Sequence, residues 1–250
     1  MRGENMTHTL ALLGKGGSGK TTLTRAFCSL IREYFPDSSI LLVDNDLSCE
    51  LAGSFGLKSR NTIYGIRSGK HEYKTGIPKG MTKQEYIEWA LEDILEEVEE
   101  NTDIIVSWFV ASKDCRCPIT KQMNDALVKL IDRYYFVIFD SEFDLKYLNL
   151  LVDYPIDTAI IVANPNQKSV HLAGEIYDFS KKYAADGQFG VILNKAKKEN
   201  LNKYVEQINL NNLNLLGIIE DLGEEADYNK IKEMIKDFYP RLNLPQEGAF

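Results

Sequence analysis

The densest chemistry in the chain lies in Leu12-Leu13-Gly14-Lys15-Gly16-Gly17-Ser18-Gly19-Lys20-Thr21-Thr22. This run satisfies G-x-x-x-x-G-K-[ST], the spacing of a phosphate cradle. Its glycines let backbone N–H groups turn onto phosphate oxygens. Lys20 offers a compact positive charge to the β and γ phosphates, and the Thr21 hydroxyl can complete a Mg²⁺ shell. A glycine-rich turn without a ligand is the alternative. Against it stands the context: residues 9–13 read as a buried strand leading in and residues 21–35 as a helix leading out, the order a phosphate cradle requires.

Lys15 follows the first glycine of the run. A lysine there can hardly reach phosphates that its own loop already wraps, but it can reach a nucleotide held by a second copy of the chain. The loop from Gly14 to Thr22 resembles the deviant Walker A loop of the MinD/ParA/nitrogenase-iron-protein class. The resemblance implies ATP or ADP with Mg²⁺ as ligands, a lysine at position 15 acting in trans, and a homodimer as the working unit.

Ligands of parallel sheets collect beyond the carboxyl ends of the strands, so the residues after each apolar run matter most. Asp44-Asn45-Asp46 follows the run 40–43. Asp44 suits a strand-end cap, whereas Asp46 resembles the switch I aspartate of the same class, which orients attacking water. Asp140 follows the run 136–139 and stands where a carboxylate would hold Mg²⁺ through water. The next residues are Ser141-Glu142-Phe143-Asp144, with Phe143 and Asp144 where the class has a small residue and glycine. A carboxylate near the γ-phosphate repels it, so the reading expects secure binding and slow hydrolysis. Asn194 closes the run 190–193. By resemblance it reads adenine; an asparagine capping a helix or turn is the other reading.

Cys115-Arg116-Cys117-Pro118 offers two thiols two residues apart, and His8, His71 and His171 are scattered. A tetrahedral zinc site needs four ligands, which two chains could supply about a two-fold axis, with nickel in a sulfur-rich site equally compatible. Unpaired thiols and a redox pair remain open. The phosphate loop with its extra lysine, joined to this Cys-x-Cys-Pro, resembles the CooC-type family of accessory ATPases. That resemblance implies delivery of nickel to a metalloenzyme client such as carbon monoxide dehydrogenase, with Ni²⁺ or Zn²⁺ held at Cys115 and Cys117 between two subunits. Two rival readings follow from the same residues: a weakly hydrolysing dimerisation scaffold with a structural zinc, and a MinD/ParA-like positioning ATPase.

These side chains need a scaffold. Seven apolar runs, at 9–13, 40–43, 104–108, 136–139, 158–162, 190–193 and 215–219, fit strands of a mostly parallel sheet covered by helices on both faces. The expected fold is one α/β P-loop NTPase domain over residues 1–250. Residues 82–100 carry Ile87, Leu91, Ile94, Leu95 and Val98 at helical spacing and acidic residues opposite, which predicts one long helix. The net charge of −8 argues against binding to nucleic acid or an anionic membrane. No stretch approaches the roughly 18 apolar residues of a spanning helix, and the start lacks a signal-peptide core, so the expected location is cytoplasmic.

Overall fold

The first strand, β1 (His8–Leu13), sends Leu10 and Leu12 into one apolar layer and Ala11 and Leu13 into another. This period-2 division repeats across the sheet and explains why its strands read as unbroken apolar runs. The computed structural model describes residues 7–58, 61–67, 77–107, 119–142, 145, 152–182, 187–223 and 227–246. Among them, eight strands form one sheet in the order β3-β4-β2-β5-β1-β6-β7-β8. The other strands are β2 (Ile40–Asn45), β3 (Glu96–Glu99), β4 (Thr102–Val106), β5 (Phe136–Ser141), β6 (Thr158–Ala163), β7 (Gln188–Ala196) and β8 (Leu215–Glu220).

Every pairing is parallel except that of β3 with β4. The helices are α1 (Lys20–Tyr34), α2 (Glu50–Ser54), α3 (Ile63–Arg67), α4 (Lys83–Asp93), α5 (Ile119–Ile131), α6 (Gln167–Ser180), α7 (Leu201–Leu210) and α8 (Tyr228–Lys236). Helices α1 and α8 pack with Leu10, Leu12 and Leu42 on one face, while α4 to α7 cover the face of Ala11, Leu13 and Val43. No described helix is long and apolar enough to cross a membrane.

The sheet therefore has one strand more than the sequence predicts, and the long acidic helix is shorter. Thr82 starts α4 with a reciprocal capping box: its Oγ1 accepts from the Glu85 N–H, and its own N–H donates to Glu85 Oε2. The helix stops at Asp93, and the chain turns back as β3 against β4. Ile87, Leu91 and Ile94 stay in the layer of α4, but Val98 packs in the opposite one. Glu96, Glu97 and Glu99, which read as part of a solvated helix face, instead line an edge strand, where charge discourages pairing with another chain.

Candidate phosphate-binding site

Strand β1 ends at Leu13 and α1 begins at Lys20, so residues 14–19 form a loop at the carboxyl edge of the sheet. Gly14 has φ 138°, and a Cβ there would stand 2.6 Å from the Val162 carbonyl of the neighbouring strand β6. Only glycine lets the loop leave the sheet so closely. The Lys15 carbonyl accepts from the Ser18 N–H at 3.1 Å and from Lys20 Nζ at 3.4 Å, closing the loop on itself. The Lys15 side chain is exposed.

Lys20 is 4% exposed, and its ammonium lies 3.9 Å from Asp46 Oδ2. Asp46 is held by its neighbours: Oδ1 accepts from the Ser48 N–H at 2.9 Å and from Ser48 Oγ at 2.7 Å. Asp44 is buried below it and accepts from the Ala52 N–H at 2.9 Å and the Asp46 N–H at 3.3 Å, which anchors α2 to the end of β2. Burial pushes the Asp44 carboxyl up to about 6 despite these donors. Asp44 thus has the structural role and Asp46 faces the lysine.

Asp140, at the end of β5, is fully buried and takes the Thr21 hydroxyl on Oδ2 at 2.7 Å. Its Oδ1 meets no donor among the described residues. Burial raises its carboxyl to about 7, against the opposing pull of Thr21 and Lys20. An uncompensated buried oxygen beside a hydroxyl is a donor set suited to a hard cation such as Mg²⁺. Asn45 links three strand ends: its Nδ2 donates to Ser141 Oγ at 3.1 Å, and its Oδ1 accepts from Ser107 Oγ at 2.5 Å.

A cavity of about 520 Å³ opens over the loop, lined by Gly16, Lys20, Thr21, Asp46, Glu142 and Lys195 among others. Glu142 reaches over the loop, its Oε1 3.9 Å from where a Cβ on Gly16 would lie, and burial with the nearby Asp46 raises its carboxyl above the usual range. The volume and the mixture of loop backbone and lysines fit a polyphosphate.

A model of the CobQ/CobB/MinD/ParA nucleotide-binding domain matches residues 10–230. The chain belongs to that family. It is 26% identical over 245 residues to an uncharacterised ATP-binding protein of Methanocaldococcus jannaschii, covering 96% of this chain and 92% of that protein. The fold is similar to that of a plasmid partition protein from Borrelia burgdorferi, with TM-score 0.66 and 19% identity over 96% of this chain and 100% of that one. It is also similar to the septum site-determining protein MinD of Pyrococcus horikoshii, which is complexed with Mg-ADP. There the TM-score is 0.58 at 19% identity, over 98% of this chain and 92% of that one. The family match makes this a nucleotide-binding protein of the CobQ/CobB/MinD/ParA family, with the P-loop as its phosphate site.

Within this family member the structure gathers Gly16, Gly17, Gly19, Lys20, Thr21, Thr22 and Asp46 around one cavity, with Asp140 buried behind Thr21. Asn194 adjoins them, but its side-chain amide donates to the Ser18 carbonyl at 2.8 Å. Lys195, to which sequence reasoning gave no role, lines the cavity and donates to the Gly17 carbonyl at 3.2 Å. Cys115, Cys117, Phe143 and Asp144 lie outside the described residues. Cys28 is a core residue whose thiol burial pushes up to about 12. Cys49 is partly buried and precedes α2; burial and the charges of Asp44 and Asp46 raise its thiol to about 11, so neither group is a reactive thiolate at neutral pH.

Proposed function

We propose that the chain binds ATP with Mg²⁺ at this loop, hydrolyses it slowly, and dimerises around it. The observation that carries the reading is the convergence of the buried Lys20, Asp46 and Thr21 on one cavity, with Asp140 held behind Thr21. Lys20 and the loop N–H groups would neutralise the phosphates. Thr21 and Asp140 would hold the cation, which when bound supplies further charge neutralisation at the phosphates. Asp46, fixed by Ser48, would orient water, and Lys15 would reach the nucleotide of the second chain. Light scattering with and without ATP, paired with a phosphate-release assay, tests this. A protein that neither binds ATP nor changes mass refutes it.

The finer reading is a CooC-type metallochaperone, with residues 1–250 as one domain and Cys115 and Cys117 of two chains around one nickel or zinc ion. It is supported by the Cys-x-Cys-Pro motif following β4. Metal analysis of the purified dimer tests it. The likeness to MinD and plasmid partition folds favours a second reading, a positioning ATPase, against which the net charge of −8 weighs. Co-sedimentation with DNA and with anionic vesicles separates the two.

A further inference from the structure

Parallel register sets Asn45 of β2 opposite Ser141 of β5, one residue beyond the pair Asp44 and Asp140. Consecutive strand residues leave opposite faces. Asp140 turns to Thr21 of α1 and Asp44 to the Ala52 N–H of α2, so Asn45 and Ser141 face the other layer, which holds Val43 and Phe139 under α4 to α7. Ser107, just beyond β4, meets Asn45 from the far side. Its backbone is fixed: the N–H donates to the Asp44 carbonyl at 2.9 Å, and the carbonyl accepts from the Tyr64 N–H of α3 at 3.0 Å.

These three side chains donate in one direction. The Ser107 hydroxyl donates to Asn45 Oδ1 at 2.5 Å, Asn45 Nδ2 to Ser141 Oγ at 3.1 Å, and Ser141 Oγ to the Glu142 carbonyl at 3.4 Å. A hydroxyl has one proton, so the last contact sets the direction, and the uncharged amide accepts from one serine while donating to the other. Ser107 and Ser141 are fully buried. Bonds in such surroundings polarise one another, and a broken one leaves a buried group uncompensated. Asn45 and Ser141 immediately precede Asp46 and Glu142, and both of those carboxylates line the cavity.

We infer that Asn45 is a positioning residue: the relay from Ser107 locks the ends of β2 and β5 to each other and so fixes Asp46 and Glu142 relative to the phosphates for hydrolysis, while nucleotide affinity stays with the loop. This role rests on the hydrolysis proposed above.

The test pairs single-turnover phosphate release at saturating Mg-ATP with calorimetric titration of ADP. The proteins are the wild type, Asn45→Leu, Ser107→Ala and the double variant, each held well below its thermal midpoint. Asn45→Leu keeps a branched side chain and removes both bonds, so turnover should fall about tenfold while ADP affinity stays within about twofold. Ser107→Ala is a small change on a strand three places from β1, and it decides the question alone if Asn45→Leu fails to fold. Turnover should fall about threefold in it. In the Asn45→Leu background it should cost nothing further, because the relay is already cut. A merely structural role would lower the thermal midpoints and leave the single-turnover rate of the folded variants unchanged, and that result would overturn the inference. So would equal losses of turnover and ADP affinity, which would place the effect on the loop, or additive losses in the double variant. A wild type that binds ADP and releases no phosphate would instead refute the hydrolysis itself.

Discussion

Thr21 Oγ1 donates to Asp140 Oδ2 across 2.7 Å, joining the first turn of α1 to the end of β5 beneath the cavity. The bond satisfies one carboxyl oxygen and leaves the other without a donor among the described residues. A carboxyl so placed is poorly compensated when ionised, and burial raises it from 3.8 to about 7. The fold therefore favours the protonated acid, whose contribution to stability is full below pH 3.8 and is lost as pH rises to about 7. Asp140→Asn keeps an acceptor for Thr21 and carries no charge. In chelator and without nucleotide, its thermal midpoint should exceed that of the wild type by a margin that opens above about pH 4 and levels off above about pH 7. With Mg²⁺ and ATP the order should reverse, because only the carboxylate attracts the cation. Scanning calorimetry across pH reads both effects, and a wild type more stable than Asp140→Asn in chelator above pH 7 would show that the charge is compensated in the fold.

Much of this site is legible in the residues alone. Asp46 and Asp140 follow apolar runs that become parallel strands, and glycines at 14 and 19 with Lys20 and Thr21 define the loop between β1 and α1. What escapes is set by tertiary context. Leu91, Ile94 and Val98 keep a helical period, and nothing local reveals that the chain reverses after Asp93 to cover an exposed sheet edge at β4. Lys195 gives no signal either, since its left-handed backbone follows from a register shift with β8. Asn194 could serve a base or a backbone, and only its distance to the Ser18 carbonyl distinguishes the contact it makes.

Lys20 is the buried cation that faces Asp46 across 3.9 Å. Lys20→Ala removes the one point charge that the loop N–H groups cannot replace, so ATP affinity should fall by about two orders of magnitude or more. Calorimetric titration decides it, and undiminished affinity would exclude this loop as the phosphate site.

Lys15 contributes its carbonyl to the loop while its side chain faces solvent. Lys15→Ala preserves the carbonyl, so nucleotide affinity of the monomer should change less than threefold, the effect of a surface charge. ATP-dependent dimerisation should weaken markedly. Light scattering at graded protein concentrations separates the two, and an unchanged dimer would count against a role in trans.

The proposed site of four thiolates from two chains would hold one Ni²⁺ or Zn²⁺ per dimer. Cys115→Ser with Cys117→Ser should abolish that metal without altering the circular dichroism spectrum. Thiolate ligands must lose protons to bind, so metal uptake should acidify weakly buffered solution and fail at low pH. One metal per chain, or metal retained by the double variant, would eliminate the shared site.

Glu142 reaches over the phosphate loop from the end of β5, its carboxyl raised by burial and by the nearby Asp46. Where its charge persists it opposes the charge of an incoming polyphosphate, and the opposition is greater for ATP than for ADP because the γ-phosphate adds charge. Glu142→Gln retains the shape and removes the charge. It should tighten ATP binding several-fold, shift ADP less, and flatten the part of the pH dependence of ATP affinity that comes from ionisation of Glu142, above the usual carboxylate range. The adjoining sequence departure should act on turnover rather than on affinity. Restoring a small residue and glycine, by Phe143→Ala with Asp144→Gly, should supply a backbone donor worth about 3 kcal/mol at the transition state, or roughly a hundredfold in rate. Titration of both nucleotides and a steady-state phosphate-release assay on the single and double variants separate these effects. Equal tightening of ATP and ADP in Glu142→Gln would place its charge away from the γ-phosphate. Natural turnover as fast as that of the restored pair would mean that residues 143 and 144 do not limit hydrolysis.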